Sequence, residues 1–370
     1  MVGKFGVEKT SLNKAKKFRI FVFANLKPSQ INYKIIPLSK SSSVEQVVIL
    51  RKTPLEINED KILCLHLPWI LRFRPIYWFL SFIYGIYQIK KNNTNLILSY
   101  NIFPHGLNAY LSSVFVGQKA IFSEINEDTI RYYKKSLSKL LVKKILDNAS
   151  IICTPGENTA SFWNKVGYNK TIQLHSTIDV VKFKPDHSIK KKYDILYIGT
   201  LDENKRPEII VKAFGKLANK NKDLKFCLIG FGSLETKIKQ LIIQLNIKKN
   251  VVFITTNDVL KYIQESKIFV MSSLSEGLPC AMLEAMACEL IAIVPPVGDI
   301  SDVISHGVNG FLHNNTVEEI EYFMDYAISN YNDLDQMKKN ARLAILNGHS
   351  YEVATNKWNN LLGSFNIGKI

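Results

Sequence analysis

Residues Ser275–Cys288, with the sequence SEGLPCAMLEAMAC, form the most informative stretch of the chain. The stretch begins with polar, turn-forming residues and becomes apolar and helix-favouring from Cys280 onward. Pro279 is predicted to occupy the first helical position. Proline has no backbone N–H group, and an N–H group at this position would have no partner within the helix. Two carboxylates belong to the stretch, Glu276 in the turn and Glu284 two turns into the helix. The pattern predicts a loop that leads into the N-terminus of a helix.

This predicted loop has the chemistry of an anion-binding site. Exposed N–H groups at the start of a helix attract phosphate, and Gly277 has no Cβ to keep a ligand away from the backbone. Carboxylates repel phosphate but accept hydrogen bonds from hydroxyl groups, so Glu276 and Glu284 suit a sugar. Phosphate and polyol together indicate a nucleotide sugar as the ligand.

The length and composition indicate an ordered protein of two domains. A chain of 370 residues exceeds the usual size of a single hydrophobic core. Hydrophobic residues make up 46% and aromatic residues 11% of the chain, which excludes a disordered protein. The five cysteines are scattered without metal-ligand spacing, and we expect reduced thiols in a cytosolic protein: Cys64, Cys153, Cys227, Cys280 and Cys288.

The positive charge is concentrated in the first half of the chain. Residues 1–187 contain 27 Lys and Arg against 12 Asp and Glu, which gives +15, whereas residues 188–370 contain 21 against 20, which gives +1. A basic face attracts anionic partners, and nucleic acid and an anionic membrane surface are the two obvious candidates. No segment reaches the roughly 18 uninterrupted apolar residues of a membrane-spanning helix. We interpret Phe18–Leu26 as a buried strand rather than a signal peptide.

Short apolar, β-branched segments alternate with helical patterns through both halves of the chain. Such alternation predicts parallel sheets that are covered by helices on both faces. We therefore predict an α/β protein with two doubly wound, Rossmann-like domains that face each other across a cleft. The predicted domains are residues 1–187 and 188–350, and a C-terminal helix in residues 351–370 is predicted to pack back towards the first domain. The predicted strands are Ile20–Ala24, Val47–Arg51, Ile62–Leu67, Asn95–Ser99, Ala120–Ser123, Ser150–Thr154, Tyr193–Gly199, Leu224–Gly230, Val251–Ile254, Lys267–Ser272, Ile291–Val294 and Gly310–Leu312.

The opening stretch also resembles the signature of a known enzyme family. Glu276 and Glu284 have the spacing E-x7-E within SEGLPCAMLEAMA, which is similar to the signature of family 4 glycosyltransferases. Further tracts agree in order with this family, and the resemblance covers most of residues 95–350: Ser176–Pro185, Tyr197–Phe214, Phe226–Ile238 and Val297–Leu312. The resemblance implies the GT-B fold and a retaining transfer from a nucleotide-sugar donor to a glycan or lipid-linked glycan, in surface polysaccharide biosynthesis.

The resemblance also implies roles for the residues of the opening stretch. Glu284 should accept hydrogen bonds from the ribose of the donor, and Glu276 should lie against the transferred sugar. The backbone at Gly277 and Leu278 should hold phosphate or sugar. A diphosphate leaves without a proton donor, so the two glutamates are not interpreted as the acid and nucleophile of a glycosidase.

A lysine in the first turn of the second domain completes the implied donor site. Lys205 lies six residues after Gly199 and takes the place of the family's diphosphate-binding lysine. Thr200 stands where the family commonly has an arginine, and Arg206 is the residue that could supply this charge. Catalysis would then consist mainly of stabilising the departing diphosphate, with Lys205 and Glu276 as the catalytic residues. No metal and no cofactor are implied.

The first domain departs from the family on the acceptor side. Ile125 stands where the family often has a histidine beside the acceptor sugar. The acceptor candidates are His105, before a predicted helix, and Asn126 and Asp128, in the turn that includes Ile125. A lone histidine in a loop is more often a surface residue, and Asn and Asp are common in any turn.

Two segments of the basic half allow two interpretations. Pro68–Lys91 is rich in aromatic residues, and Arg131–Lys144 has the pattern of a basic amphipathic helix. They either cover the sheet with a solvated lysine face or dock on an anionic membrane. The predicted location is the cytoplasm, with a peripheral position on the inner face of the membrane as the alternative.

Two other functions agree with parts of the sequence. A nucleotide-sugar epimerase or a phosphorylase on the same fold would use a similar donor site, although the motifs fit those families less well. A basic nucleic-acid-binding protein would explain the charge, but the lysines show no recognition-helix or RNP-like motif, and no nucleic-acid partner is predicted. The sequence leaves open the base and sugar of the donor and the identity of the acceptor.

Overall fold

Two parallel β-sheets, one from each half of the chain, form the framework of the protein. The structure is a computed structural model, and it describes residues 17–26, 28–55, 57–67, 74–125, 128–174 and 176–366. Each sheet has an apolar cluster on either face. Strands covered on both faces are apolar along their length, and five of the six residues of Phe18–Phe23 are buried.

The first sheet is doubly wound. Among the described residues its strands are β1 (Phe18–Phe23), β2 (Val44–Arg51), β3 (Ile62–His66), β4 (Leu96–Tyr100), β5 (Ala120–Ser123), β6 (Ile151–Thr154) and β7 (Thr171–Gln173). All pairings are parallel, in the order β3-β2-β1-β4-β5-β6-β7. The order reverses between β1 and β4, and ligands of such sheets bind beyond the carboxyl ends of the strands near this point.

The helices of the first half cover both faces of this sheet. They are α1 (Pro28–Lys34), α2 (Ile36–Lys40), α3 (Arg74–Lys91), α4 (Leu107–Val116), α5 (Asp128–Lys134), α6 (Ser136–Asn148) and α7 (Glu157–Lys165). The single helix predicted over Arg131–Lys144 is wrong, because the backbone is extended at Lys135 and separates α5 from α6. Tyr133 of α5 packs against Trp163, whereas α6 buries Val142 and Ile145, and one straight helix could not bury both faces.

The second sheet repeats the arrangement. Its described strands are β8 (Tyr193–Ile198), β9 (Phe226–Ile229), β10 (Val251–Ile254), β11 (Ser266–Val270), β12 (Ile291–Val294) and β13 (Phe311–Leu312). They are parallel, in the order β10-β9-β8-β11-β12-β13. The accompanying helices are α8 (Pro207–Lys220), α9 (Glu235–Gln244), α10 (Leu260–Gln264), α11 (Cys280–Ala287), α12 (Val317–Ser329) and α13 (Asp335–Gly348).

The final helix, α14 (Tyr351–Asn366), returns to the first sheet. Trp358, Leu361 and Leu362 are buried in the apolar cluster that contains β1 and β4. The side-chain oxygen of Asn359 accepts hydrogen bonds from the Ser41 hydroxyl at 2.7 Å and from the N–H group of the next residue at 3.1 Å. The strands of the first sheet end at residue 173 and those of the second begin at residue 193, on either side of the predicted division after residue 187.

Candidate functional site

Three loops meet at the carboxyl edge of the second sheet. They follow β8, β11 and β12 and contain residues 199–206, 271–279 and 295–299. Because these three strands are parallel neighbours, their loops leave the sheet side by side. The donor-site residues predicted from the sequence lie in the first two of these loops and in α11, so residues distant in the chain share one site.

Asp202 fixes the loop after β8. One carboxylate oxygen accepts hydrogen bonds from the N–H groups of Asn204 and Lys205, each at 3.0 Å, and the other accepts from the Thr200 hydroxyl at 2.6 Å. Partial burial would raise the pKa of Asp202, but these hydrogen bonds outweigh burial and the pKa is lowered. The ionised carboxylate therefore holds the backbone of Lys205 in place.

Hydrogen bonds join this loop to the loop after β11. The Ser272 hydroxyl lies 3.0 and 2.9 Å from the carbonyl oxygens of Lys205 and Arg206, to which it can donate. The Asn204 side chain donates to the Ser275 carbonyl at 2.9 Å and accepts from the Ser275 N–H at 3.1 Å. The two loops hold each other in place, since backbone groups of each loop form hydrogen bonds with side chains of the other.

An ion pair connects the predicted phosphate-binding and sugar-binding side chains. The Lys205 ammonium contacts the Glu276 carboxylate, and these side chains are only 22% and 13% exposed. Arg206 follows with a left-handed backbone (φ 48°, ψ 47°) and a half-buried side chain, directly before α8. Gly199, at the start of the loop after β8, packs closely against Gly230, since a Cβ on Gly230 would come within 2.2 Å of the Gly199 carbonyl oxygen.

The turn before α11 offers backbone N–H groups to a ligand. Within the described residues, the N–H groups of Gly277 and Leu278 donate to no protein acceptor, and neither do those of Cys280 and Ala281. The helix begins at Cys280, so Pro279 caps it from one position earlier than predicted. Unpaired N–H groups beside a lysine are able to bind an anion, and the anion-binding role of this turn stays a prediction.

Gly298, in the loop after β12, allows this turn to pack closely. Its φ of +60° is a left-handed conformation, and a Cβ would lie 2.1 Å from the carbonyl oxygen of Glu276 and 2.7 Å from that of Gly277. The N–H group of the next residue, Asp299, donates to the Gly277 carbonyl at 3.1 Å. Any side chain at position 298 would therefore displace the turn that carries Glu276.

Glu284 lies beneath the turn and is almost entirely buried, with 6% of the residue exposed. Its carboxylate accepts a hydrogen bond from the hydroxyl of Tyr33, on α1 of the first half. Burial raises the pKa of Glu284 to about 7, although the hydrogen bond from Tyr33 and the charge of Lys182 act in the opposite direction. A buried carboxylate at the rim of an anion site can accept from ligand hydroxyls.

The two halves of the chain touch across this site. The N–H group of Glu157, at the start of α7, donates to the Asp302 carboxylate at 3.0 Å, and the Asn158 side chain donates to the Gly298 carbonyl at 3.0 Å. A Cβ on Gly156 would come within 2.2 Å of the Asp299 side chain. The carboxyl edge of the first sheet therefore faces the three loops of the second across a cleft.

The acceptor candidates lie along the first sheet with different surroundings. His105 is in the turn between β4 and α4 and is only 8% exposed, so the alternative of a surface histidine is wrong. Burial lowers the pKa of His105 to about 4, which makes the ring neutral at pH 7. Asp128 begins α5 and pairs with Arg131 at 2.7 Å, Ile125 packs against the core, and Asn126 lies outside the described residues.

The aromatic helix α3 presents an apolar face to solvent. Ile76, Phe79, Ile83 and Tyr87 recur at helical spacing and are 48% to 56% exposed. Phe115, at the end of α4, is 65% exposed and carries the Lys90 ammonium 5.5 Å from its ring centre. Residues 68–73 of the predicted segment lie outside the described residues. In the described part of the chain, no helix combines the length and apolar character needed to cross a membrane.

Tyr33 is the residue of the site that the sequence analysis missed. It is 251 positions from Glu284 and belongs to no recognisable motif, so only the packing of the two halves brings it to the site. Metal-binding residues were not predicted. Among the described residues, no group of three or more His, Cys, Asp and Glu side chains could hold a metal ion.

Comparisons with known proteins agree with this architecture. The sequence profile of the family "Glycosyl transferases group 1" matches residues 180–344. N-acetyl-alpha-D-glucosaminyl L-malate synthase of Bacillus anthracis is 28% identical over 60% of this chain and 62% of its own length. UDP-Gal:alpha-D-GlcNAc-diphosphoundecaprenol alpha-1,3-galactosyltransferase of Escherichia coli is 22% identical over 78% of this chain and 81% of its own length. The chain spans only 41% to 49% of three other curated relatives.

A solved structure extends the agreement to the whole fold. Anabaena Alr3699/HepE in complex with UDP-glucose superposes with a TM-score of 0.79 over 94% of this chain and 100% of that chain, at 14% identity. The predicted GT-B fold of two doubly wound sheets is confirmed. The E-x7-E motif from Glu276 to Glu284 lies within residues 180–344, the part of the chain that matches the group 1 glycosyl transferases.

Proposed function

We propose that the protein is a retaining glycosyltransferase of the hexosyltransferase type. It moves a sugar from a nucleoside-diphosphate sugar to a glycan or lipid-linked glycan, in surface polysaccharide biosynthesis. The observation that carries the proposal is the Lys205–Glu276 ion pair beside the unpaired N–H groups of Gly277 and Leu278. The relatives support it, since HepE was crystallised with UDP-glucose and the Escherichia coli enzyme is named for a diphosphoundecaprenol acceptor.

Lys205 and its neighbours supply positive charge for the leaving diphosphate. The ammonium group of Lys205, the N–H groups of the turn and the side chain of Arg206 would stabilise the negative charge that develops as the glycosidic bond breaks. The Glu276 carboxylate neutralises Lys205 while the site is empty and accepts from sugar hydroxyls when the donor is bound. This charge is already present in the protein, and we propose that neither a metal nor a cofactor is needed.

The acceptor would approach from the first sheet. Its carboxyl edge faces the donor loops, and His105 is held there as a neutral ring. We propose His105 and Asp128 as acceptor-side contacts. Retention then requires that the acceptor attack from the face that the diphosphate leaves, which fits a cleft in which both substrates lie between the two halves.

We further propose that the basic half docks on an anionic membrane from the cytoplasmic side. The apolar face of α3 continues onto Phe115, and Lys90 and Lys91 lie at its end. Apolar side chains within a rim of lysines suit insertion between lipid headgroups. The described cysteines are all free, which suits a reducing compartment.

The membrane proposal is tested by sedimentation with vesicles. Vesicles with anionic lipid should pull down the protein, neutral vesicles should not, and Phe79→Ser should weaken the binding. Tyr322→Ser, which removes a 62% exposed aromatic ring from the second domain, serves as the matched control. Equal binding to neutral and anionic vesicles, or equal loss in both variants, would contradict the proposal.

The catalytic proposal is tested in two steps. A thermal-shift screen against UDP-, GDP- and ADP-sugars identifies the donor, because a ligand that binds the native state raises its stability. The selected donor is then incubated with a lipid-diphosphate saccharide, and the anomeric configuration of the product is read by NMR. Isomerisation of the donor without an acceptor would indicate an epimerase, and dependence on inorganic phosphate would indicate a phosphorylase. An inverted linkage would refute retention.

A further inference from the structure

Tyr33 reaches the donor site from the opposite half of the chain. It lies on α1, 8% of the residue is exposed, and its hydroxyl donates to the Oε1 atom of Glu284. Burial and the neighbouring Glu284 raise the pKa of Tyr33 well above its ordinary value, so the phenol keeps its proton. Its hydroxyl is therefore a permanent donor to this carboxylate.

The backbone around Tyr33 is fixed by two other segments. The Thr177 hydroxyl donates to the Tyr33 carbonyl at 2.7 Å. The next residue, Ile178, donates its N–H to the carbonyl of His349 at 2.8 Å, two residues before the start of α14. Tyr33 is thus held where α1, the segment between the two halves and the start of α14 come together. This arrangement gives its ring a defined position over Glu284.

Several ionisable groups surround Glu284, and among the described residues Tyr33 is the one that donates a hydrogen bond to its carboxylate. Lys182 faces Glu284 from the segment between the halves, and Tyr351 faces it from α14. Cys280 lies at the start of its own helix, α11, and Cys288 lies directly after the end of that helix. From α13, Arg342 reaches the carbonyl of Ala287, and Lys34 of α1 lies near Cys280. In the described part of the chain, Tyr33 supplies the hydrogen bond to the carboxylate, at Oε1. The lone pairs of Oε2 are left for a ligand.

The protonation state of Glu284 decides what it can bind. An ionised carboxylate accepts from two vicinal hydroxyls, whereas a protonated one has less acceptor capacity and donates a hydrogen itself. Burial favours the protonated form, and a hydrogen bond received from Tyr33 favours the ionised form. We propose that Tyr33 is a positioning residue of the donor site, which keeps Glu284 ionised and turned towards the ribose hydroxyls. The proposal rests on the proposed function and on the role that the resemblance to family 4 glycosyltransferases implies for Glu284, which is to accept hydrogen bonds from the donor ribose.

The experiment measures nucleotide affinity as a function of pH. UDP, GDP or ADP, whichever raises Tm most in the wild type, is titrated by calorimetry from pH 5.5 to 9 into four proteins. These are the wild type, Tyr33→Phe, Glu284→Gln and the matched control Tyr100→Phe. Tyr100 is a buried tyrosine that lines a small cavity together with Tyr33, and in the described structure its hydroxyl is not bonded to Glu284. Thermal melts without nucleotide verify that each variant is folded.

Tyr33→Phe should bind about fivefold more weakly at pH 7, because the loss of a hydrogen bond to a charged group raises the pKa of Glu284 by about one unit and lowers its ionised fraction from about one half to about one tenth. At pH 9, where the carboxylate is ionised in either protein, the affinities should agree within about twofold. Glu284→Gln should bind weakly at every pH, and Tyr100→Phe should follow the wild type.

The outcomes distinguish a failure of the role of Tyr33 from a failure of the proposed function. A Tyr33→Phe profile that matches the wild type, or that is weaker by the same factor at every pH, overturns the role of Tyr33 while Glu284→Gln still shows the loss. Tighter binding by Tyr33→Phe also overturns it, because Tyr33 would then compete with the ribose. Wild-type affinity in Glu284→Gln, or no binding of any nucleotide to the wild type, overturns the proposed function and this inference with it.

Discussion

The burial of Glu284 predicts that this carboxylate destabilises the folded protein at neutral pH. Burial raises its pKa from the ordinary value of 4.5 to about 7 in the folded state. Below pH 4.5 the group is protonated in both the folded and unfolded states, and it contributes no difference. As the pH rises from 4.5 to 7, the unfolded chain loses the proton and the folded chain keeps it, so stability falls. Above pH 7 the destabilisation is complete and constant.

The substitution Glu284→Gln removes the titration and preserves the shape. The amide oxygen can still accept the hydrogen bond from Tyr33. A shift of about 2.5 pKa units corresponds to about 3 kcal/mol, at about 1.36 kcal/mol per unit. We expect the variant to be more stable than the wild type by less than about 1 kcal/mol at pH 5 and by about 3 kcal/mol at pH 8. His105 and His313, whose pKa burial lowers to about 4, are present in both proteins and cancel in the difference.

Urea unfolding at pH 5, 6, 7 and 8 measures this difference directly. Glu203→Gln, which removes an exposed carboxylate from the same domain, controls for the loss of one negative charge. A difference between Glu284→Gln and the wild type that is constant with pH would refute the reasoning, and so would a variant that is less stable at pH 8. A buried carboxylate that destabilises the fold is expected where stability is exchanged for function.

Three other predictions concern the donor site. Lys205→Met should lower kcat by about 10²–10³-fold, as expected for loss of a group that stabilises transition-state charge, and steady-state kinetics should show no such effect for the exposed control Lys248→Met. Gly298→Ala should abolish most nucleotide affinity in calorimetry, because its Cβ would displace the carbonyl of Glu276. Gly307→Ala is the control, because Gly307 also has a positive φ but a Cβ there would contact no atom. This control should bind the nucleotide normally, although backbone strain should destabilise both variants by about 1 kcal/mol. EDTA should leave the transfer rate unchanged, and a loss that Mg²⁺ or Mn²⁺ restores would contradict a metal-independent reaction.

The sequence predicted those parts of the site that are local in the chain. The turn at Gly277 and the helix that carries Glu284 follow from turn chemistry and helix propensity over a few residues. Lys205 could be placed beside Glu276 because neighbouring parallel strands end at one edge, where both residues lie. The turn and the helix needed only local patterns, whereas the choice of Lys205 came from the resemblance to family 4 glycosyltransferases.

Other features depend on packing that no local pattern encodes. Tyr33 is an ordinary apolar-face residue in the sequence, and its contact with Glu284 exists only because the two halves dock. The break at Lys135 was missed because a periodicity averaged over two short helices resembles that of one longer helix. The burial of His105 depends on the turn after β4 folding inward, which its sequence does not indicate.

The return of α14 to the first sheet makes the second half of the protein an insertion in a continuous unit. The chain crosses between the halves twice, and the two crossings are bonded to each other, since Ile178 donates to the carbonyl of His349 and pairs with Ser350 in a β-bridge. Two connections that meet at one point act as a single hinge. They permit the halves to rotate about that point but resist their sliding or separation. Opening the cleft would therefore move its outer rim farthest, while the segments next to the hinge, which include Tyr33, stay nearly in place.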